Sequence, residues 1–226
     1  MKVVVIVSAN AEWRAVKELY PNLELQPSPF GEFADLTLDT WSLTLFHGGW
    51  GKISAAATAQ YVIDRFKPDL LVNLGTCGGF EGRIEHGKII LVEKTIVYDI
   101  FEQMTDGAEE IAFYTTQLDL SWLPSALPTQ ILRGLLVSGD RDIIVEDIPM
   151  LVQKYNAVAA DWESGAIAWV AKRNGVRCLI LRGVTDLVGG SGGEAYGDYE
   201  LFMQRTHNVM KSLFDKLPDW LVAIEK

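Results

Sequence analysis

Sulfur, histidine and positive charge are all scarce in this chain. Only two of its 226 residues are cysteine, Cys77 and Cys178. They have no metal-ligand spacing and make no disulfide framework, and each sits in an apolar, strand-like stretch. Both are expected to be buried, reduced thiols. The three histidines, His47, His86 and His207, are isolated from one another, so a structural role is the expectation for each, and no metal or cofactor is implied. Lys and Arg number 20 against 30 Asp and Glu, a net charge of −10. That balance offers nothing to the phosphates of a nucleic acid or to an anionic membrane surface. Long apolar runs are missing too. The opening "MKVVVIVSAN" is too brief for a signal-peptide core and far too brief for a membrane span, so a cytoplasmic setting is expected. No linker, internal repeat or low-complexity stretch divides residues 1–226, which read as one domain.

What remains is a chain 49% apolar and 22% charged, the balance of a compact globular protein. "VVVIV" (3–7) reads as a strand buried on both faces, followed by a helix capped by Asn10 with Glu12 in its first turn. Residues 35–47 alternate about a turn at Asp39-Thr40 and suggest a hairpin. "GKISAAATAQYVIDRF" is a helix stopped by Pro68. "DLLVNLG" (69–75) is a strand expected to end in the glycine turn "GTCGGFEG". Residues 88–98 form one or two strands, and 101–128 are irregular and aromatic. Residues 131–140 run from a strand into a polar turn, and 147–155 form a short helix. "DWESGAIAWVAKR" (161–173) opens a helix, 176–186 is a strand, and a last helix covers about 197–216. Such alternation implies an α/β fold with a largely parallel sheet covered on both faces, with ligands bound beyond the strand ends.

Five of those ends carry polar residues: Ala9-Asn10 with Glu12, Gly75-Thr76 with Gly78, Ser138-Gly139-Asp140, Asp161-Trp162-Glu163, and Thr185-Asp186. Singly, each has a structural explanation. Glu12 complements a helix dipole, the glycines make a turn, and Asp140, Glu163 and Asp186 cap or turn the chain. Together they would converge on one rim of one sheet. Three carboxyl groups there supply an acid, a base and an acceptor for hydroxyl groups, a set suited to cleaving a glycosidic bond.

In order and spacing, "ANAEW", "GGWGKISAA", "VNLGTCGGF", "VSGD", "DWESGAIA" and "RGVTD" resemble the nucleoside phosphorylase and nucleosidase superfamily, over nearly the whole chain. The likeness is to its 5′-methylthioadenosine/S-adenosylhomocysteine nucleosidase branch. It implies a three-layer α/β/α fold with a mixed, largely parallel central sheet, no cofactor, and a 5′-substituted purine nucleoside as substrate. It also implies roles. Glu12 would activate water, Asp186 would protonate the leaving base, and Glu163 would hold the ribose hydroxyls with Trp162 against the sugar. Thr76 stands for a serine, and Tyr196 falls where an aromatic residue closes over the ligand. Ala9, Trp50, Gly78, Ile143 and Thr185 fall on the same pocket.

Three departures carry expectations. "SGDRDII" places Asp142 where the family's loop supplies an aromatic ring for the base, which implies an altered base preference. Trp50 replaces a smaller apolar residue near the sugar. Asn73 stands where related phosphorylases carry an arginine for phosphate, and with Glu12 nearby this favours water over phosphate as the nucleophile. A non-catalytic nucleoside-binding protein is the alternative from another class. "HGGWGKIS" is no P-loop, because Phe46 and Ile53 occupy its first glycine and its hydroxyl position. The aromatic residues between Phe101 and Trp122, exposed together, would make an apolar patch that implies a homo-oligomer, a dimer.

Overall fold

The structure, a computed structural model, describes residues 1–129 and 131–225. Strand β1 (Val3–Val7) is buried on both faces. Its period of two sorts its side chains: Val3, Val5 and Val7 enter one core, Val4 and Ile6 the other. The first core is closed by α1 (Asn10–Leu19) and α6 (Tyr199–Glu225), the second by α2 (Gly51–Phe66) and α5 (Ser164–Arg173). Helix α2 brings Ala55, Thr58 and Ala59 to the sheet, and these small residues let its backbone approach closely.

Strand β1 lies between β4 (Trp41–His47) and β5 (Leu70–Phe80), parallel to both. On the outer side, β4 turns at Asp39, whose φ is 52°, into β3 (Gly31–Leu38) and then β2 (Gln26–Ser28), both antiparallel. On the other side the sheet closes on itself. β5 pairs with β10 (Arg177–Gly189), β10 with β6 (Ile89–Val97), β6 with β8 (Leu132–Ser138), β8 with β9 (Ala157–Asp161), and β9 returns to β5. The ladders β5–β10, β6–β8 and β8–β9 are parallel; β6–β10 and β5–β9 are antiparallel. The result is the expected α/β/α arrangement on a mixed sheet, part of it bent into a five-strand ring. Phe80, Ile96, Val137, Ala160 and Val188 pack together there.

Several boundaries differ from expectation. The glycine turn after Gly75 does not exist, because β5 continues to Phe80, paired with β10 as far as Val188. Its glycines serve close approach: a Cβ on Gly75 would lie 1.8 Å from Nη1 of Arg182. Strand β10 likewise runs past Asp186 to Gly189, then pairs with β11 (Gly192–Gly193). Asn10 is the first residue of α1, and Ala9 is its N-cap. Within 101–128 there are a short α3 (Ala108–Phe113) and β7 (Thr115–Gln117). Helix α6 runs through Pro218 to Glu225, well past residue 216. A proline inside a helix costs about 3 kcal/mol. Leu217, Trp220, Leu221 and Ile224, all buried around it, offset that cost.

Candidate active site

One cavity of about 940 Å³ opens at the carboxyl ends of β1, β9 and β10. Ala9 and Glu12 reach its wall from the start of α1, and Trp50 from the turn before α2. Thr76 and Gly78 belong to β5, Asp142 and Ile143 to the segment after β8, and Trp162 and Glu163 to the step from β9 to α5. Thr185 and Asp186 come from β10, and Tyr196 from the segment after β11. All twelve positions singled out from the sequence therefore line a single cavity. Ser138 and Asp140 stand behind it. The Ser138 hydroxyl donates to Oδ1 of Asp161 (2.6 Å), and Asp140 accepts the Lys52 N–H (2.7 Å).

Consecutive residues of a regular strand point to opposite faces, yet Thr185 and Asp186 both face the cavity. The β5–β10 register explains this. Val184 pairs with Cys77 and Asp186 with Gly78, so Thr185 is an extra residue, a bulge that turns the strand's end inward. The Thr185 hydroxyl donates to Oδ1 of Asp186 (3.0 Å). Burial raises the Asp186 carboxyl above its ordinary value, against the pull of that hydrogen bond and of Arg205.

The centre of the site is a side chain that pattern reading passed over. Arg182, fully buried in β10, lies beneath the cavity within reach of three carboxylates: Asp161 (2.9 Å), Glu12 (3.5 Å) and Glu163 (3.9 Å). Its Nε donates to the Ser164 hydroxyl (2.8 Å) and its Nη2 to Oδ1 of Asn73 (2.9 Å). Burial opposes its charge, but the three carboxylates hold Arg182 above the usual arginine value. Asn73 does not face the cavity. It is fully buried, and its amide donates to the Ile6 carbonyl (3.0 Å) while its oxygen holds the guanidinium. A charged residue amid the buried run "CLILRGV" was the available signal.

Glu12 is almost wholly enclosed. Its Oε1 accepts the Thr76 N–H (2.6 Å) and hydroxyl (2.9 Å), and its Oε2 accepts the Ala9 N–H (3.1 Å). Gly75 makes room for it, since a Cβ there would lie 2.7 Å from Oε1 of Glu12. Glu163 is the N-cap residue of α5, but its side chain does not cap that helix; its Oε1 accepts the Gly51 N–H (3.1 Å) across the cavity wall. Asp161 takes the capping role, accepting the Ser164 N–H at 3.1 Å. Burial pushes Glu163 up to about 8, with Asp161 and Glu12 adding to the rise and Arg182 opposing it.

Two arginines, Arg14 and Arg141, also reach the wall. Arg141 is paired with Asp147 (2.8 Å), whereas Arg14 has no ion-pair partner among the described residues. The Tyr196 hydroxyl donates to the Ile143 carbonyl (3.2 Å), tying two sides of the opening together.

A family model described as the phosphorylase superfamily matches residues 2–217. The chain belongs to the phosphorylase superfamily. Within it, the chain is 27% identical over 159 residues to the 5′-methylthioadenosine/S-adenosylhomocysteine nucleosidase of Buchnera aphidicola subsp. Acyrthosiphon pisum (strain APS). That match spans 63% of this chain and 66% of the relative, just under two thirds of its length. The nucleosidase of the same name from Maridesulfovibrio salexigens is 29% identical over 190 residues, 78% of this chain and 81% of that one. Among solved structures, the Streptococcus pneumoniae MTA/SAH nucleosidase in complex with 8-aminoadenine superposes with a TM-score of 0.76 at 19% identity, covering 99% of this chain and 100% of its own. The native futalosine hydrolase of Helicobacter pylori strain 26695 reaches 0.76 at 17% identity, covering 98% and 97%. At those identities the shared property is the superfamily's fold.

Proposed function

We propose that this superfamily member is an N-ribosyl hydrolase. Its substrate is a purine nucleoside, 5′-substituted as in methylthioadenosine or S-adenosylhomocysteine, and its products are the free base and the sugar. The observation that carries the reading is the meeting of Glu12, Glu163 and Asp186 on one cavity wall, with Asp186 inclined by burial to keep its proton. The C1′–N bond breaks with its electron pair leaving on the base, and Asp186 donates a proton to the purine N7. Water attacks C1′ and gives its proton to Glu12. The sugar is cationic in between. Glu163 holds its hydroxyl groups, and positive charge developing on the sugar is drawn towards that carboxyl group, so the interaction strengthens in the transition state. Ile143 and Val188, on either side of Gly78, offer apolar faces for the base, and exposed Asp142 lies at their edge.

Water is favoured over phosphate as the nucleophile. Arg182, which lies 3.5 Å from Glu12, is buried beneath the cavity and bound to Asp161, Ser164 and Asn73, while Glu12 itself presents a carboxyl group to an incoming dianion. Base release should therefore proceed at full rate in phosphate-free buffer, with free sugar identified by mass spectrometry. Asp186→Asn and Glu12→Gln should each lower it about 10²–10⁴-fold. Sugar 1-phosphate as product, or near-normal turnover in both folded variants, overturns the hydrolase.

A second copy of the chain is the proposed partner, and the cytoplasm the proposed setting. Among the described residues no helix is long and apolar enough to cross a membrane. Ile53, Phe101 and Met104 are 85%, 82% and 92% exposed. The pairing of Lys52 with Asp99 brings the start of α2 and the segment after β6 side by side. Trp50 continues this apolar surface onto the cavity wall, so a second copy seated there would cover the mouth.

A further inference from the structure

We propose that Arg205 and Glu194 form a charge-balanced clamp that positions Asp186 and governs the upper pH limit of catalysis. The inference rests on the reading of Asp186 as the acid. Arg205, on α6, donates from Nη1 to the Thr185 carbonyl (3.2 Å) and pairs with Oε2 of Glu194 (2.8 Å). That carboxylate oxygen also accepts the Leu187 N–H (3.3 Å), and the Glu194 N–H donates to the Leu187 carbonyl (3.0 Å). The residues on either side of Asp186 are thus both tied to one ion pair. The bulge that turns Asp186 inward is pinned from behind.

The pair's two charges act on Asp186 in opposite senses. A guanidinium next to an acid favours its ionised form, the wrong one for a proton donor, whereas a nearby carboxylate favours the neutral form. Arg205 lowers and Glu194 raises the Asp186 carboxyl, and the hydrogen bond from Arg205 holds Glu194 itself below the usual carboxylate range. Other groups around Asp186 are the Thr185 hydroxyl, the Tyr196 phenol, the buried Cys77 thiol of β5 and His86 from the β5–β6 connection. Arg205 thereby locks the strand while Glu194 offsets part of its pull on the acid.

The test is kcat/KM for base release from 5′-methylthioadenosine between pH 5 and 10, for Arg205→Gln, Glu194→Gln, Arg205→Lys and the double glutamine variant. Arg205→Gln should move the high-pH fall in rate upward, and Glu194→Gln should move it downward, each by about one pH unit for a partly screened charge at this range. The double variant should return close to the native profile, and Arg205→Lys should keep it. A loss of rate at every pH with no movement of the limb would reduce the clamp to a structural tie and overturn the inference. Movement of both single variants in one direction would do the same. Asp186→Asn separates the two readings. If it retains activity and the same limb, Asp186 is not the acid; if it abolishes both while the other variants leave the limb in place, only the clamp fails.

Discussion

Glu163 shows how burial and neighbouring charge alter a single residue. At the mouth of a helix its sequence position suggests a cap, yet its carboxyl reaches away from the helix to the Gly51 N–H and faces Arg182. Raised from 4.5 to about 8, it binds a proton more tightly in the folded chain than in the unfolded one. The sign follows from that. Its contribution to stability is complete below about 4.5 and is lost as pH rises towards about 8. Glutamine at this position cannot titrate. The melting temperature of Glu163→Gln, relative to the native protein, should therefore climb steadily from pH 5 to pH 8. A difference that stays constant over that range would show that Glu163 does not carry the proton.

At the scale of elements, the β5–β10 ladder builds the site. Arg182 and Gly75 are direct partners in it, and the missing side chain of one holds the guanidinium of the other. Because both strands are paired on both sides, neither backbone can retreat. Gly75→Ala should therefore displace Arg182 from its carboxylates and leave buried charge uncompensated, a loss of roughly 3–5 kcal/mol by the usual cost of breaking such a group. Gly190→Ala is the matched control, since a Cβ there meets nothing within 4 Å. Its effect should stay within about 0.5 kcal/mol. Denaturant unfolding of the pair measures both, and equal stabilities would remove the packing argument for Gly75. Helix α6 serves the ladder from outside, with Arg205 pinning the bulge and the buried side chains beyond Pro218 anchoring its far end.

For the whole molecule, the apolar surface at Ile53, Phe101 and Met104 sets the expected assembly. Light scattering at micromolar concentration should return twice the 25.1 kDa chain mass. Phe101→Asp with Met104→Asp should return the single-chain mass, with activity falling if the partner covers the cavity mouth. A native protein that runs as one chain would remove the dimer. The aromatic stretch itself divides. Phe101 and Phe113 are exposed, while Trp122 and Leu123 pack against the core of α1 and α6. Its local pattern could not separate these fates, because exposure there depends on which distant helices pass beneath.

The sequence alone determined the alternation of strand and helix, the inward-facing apolar periods and the polar strand ends that carry Glu12, Thr76, Glu163 and Asp186. Those features are local: they follow from side-chain spacing and from the residue types that strand ends and turns accept, whereas Trp50, Asp142, Ile143 and Tyr196 came from the resemblance to the superfamily. Only the tertiary structure decided what the residues do to one another. The bulge at Thr185 depends on pairing with Cys77 and Gly78. The continuation of β5 through its glycines depends on β10 lying alongside. Arg182 reads as an oddity in an apolar run until three distant segments bring Glu12, Asn73, Asp161 and Glu163 around it. Charge and burial act through space, so the raised carboxyl of Glu163 became legible only once the chain had folded around it.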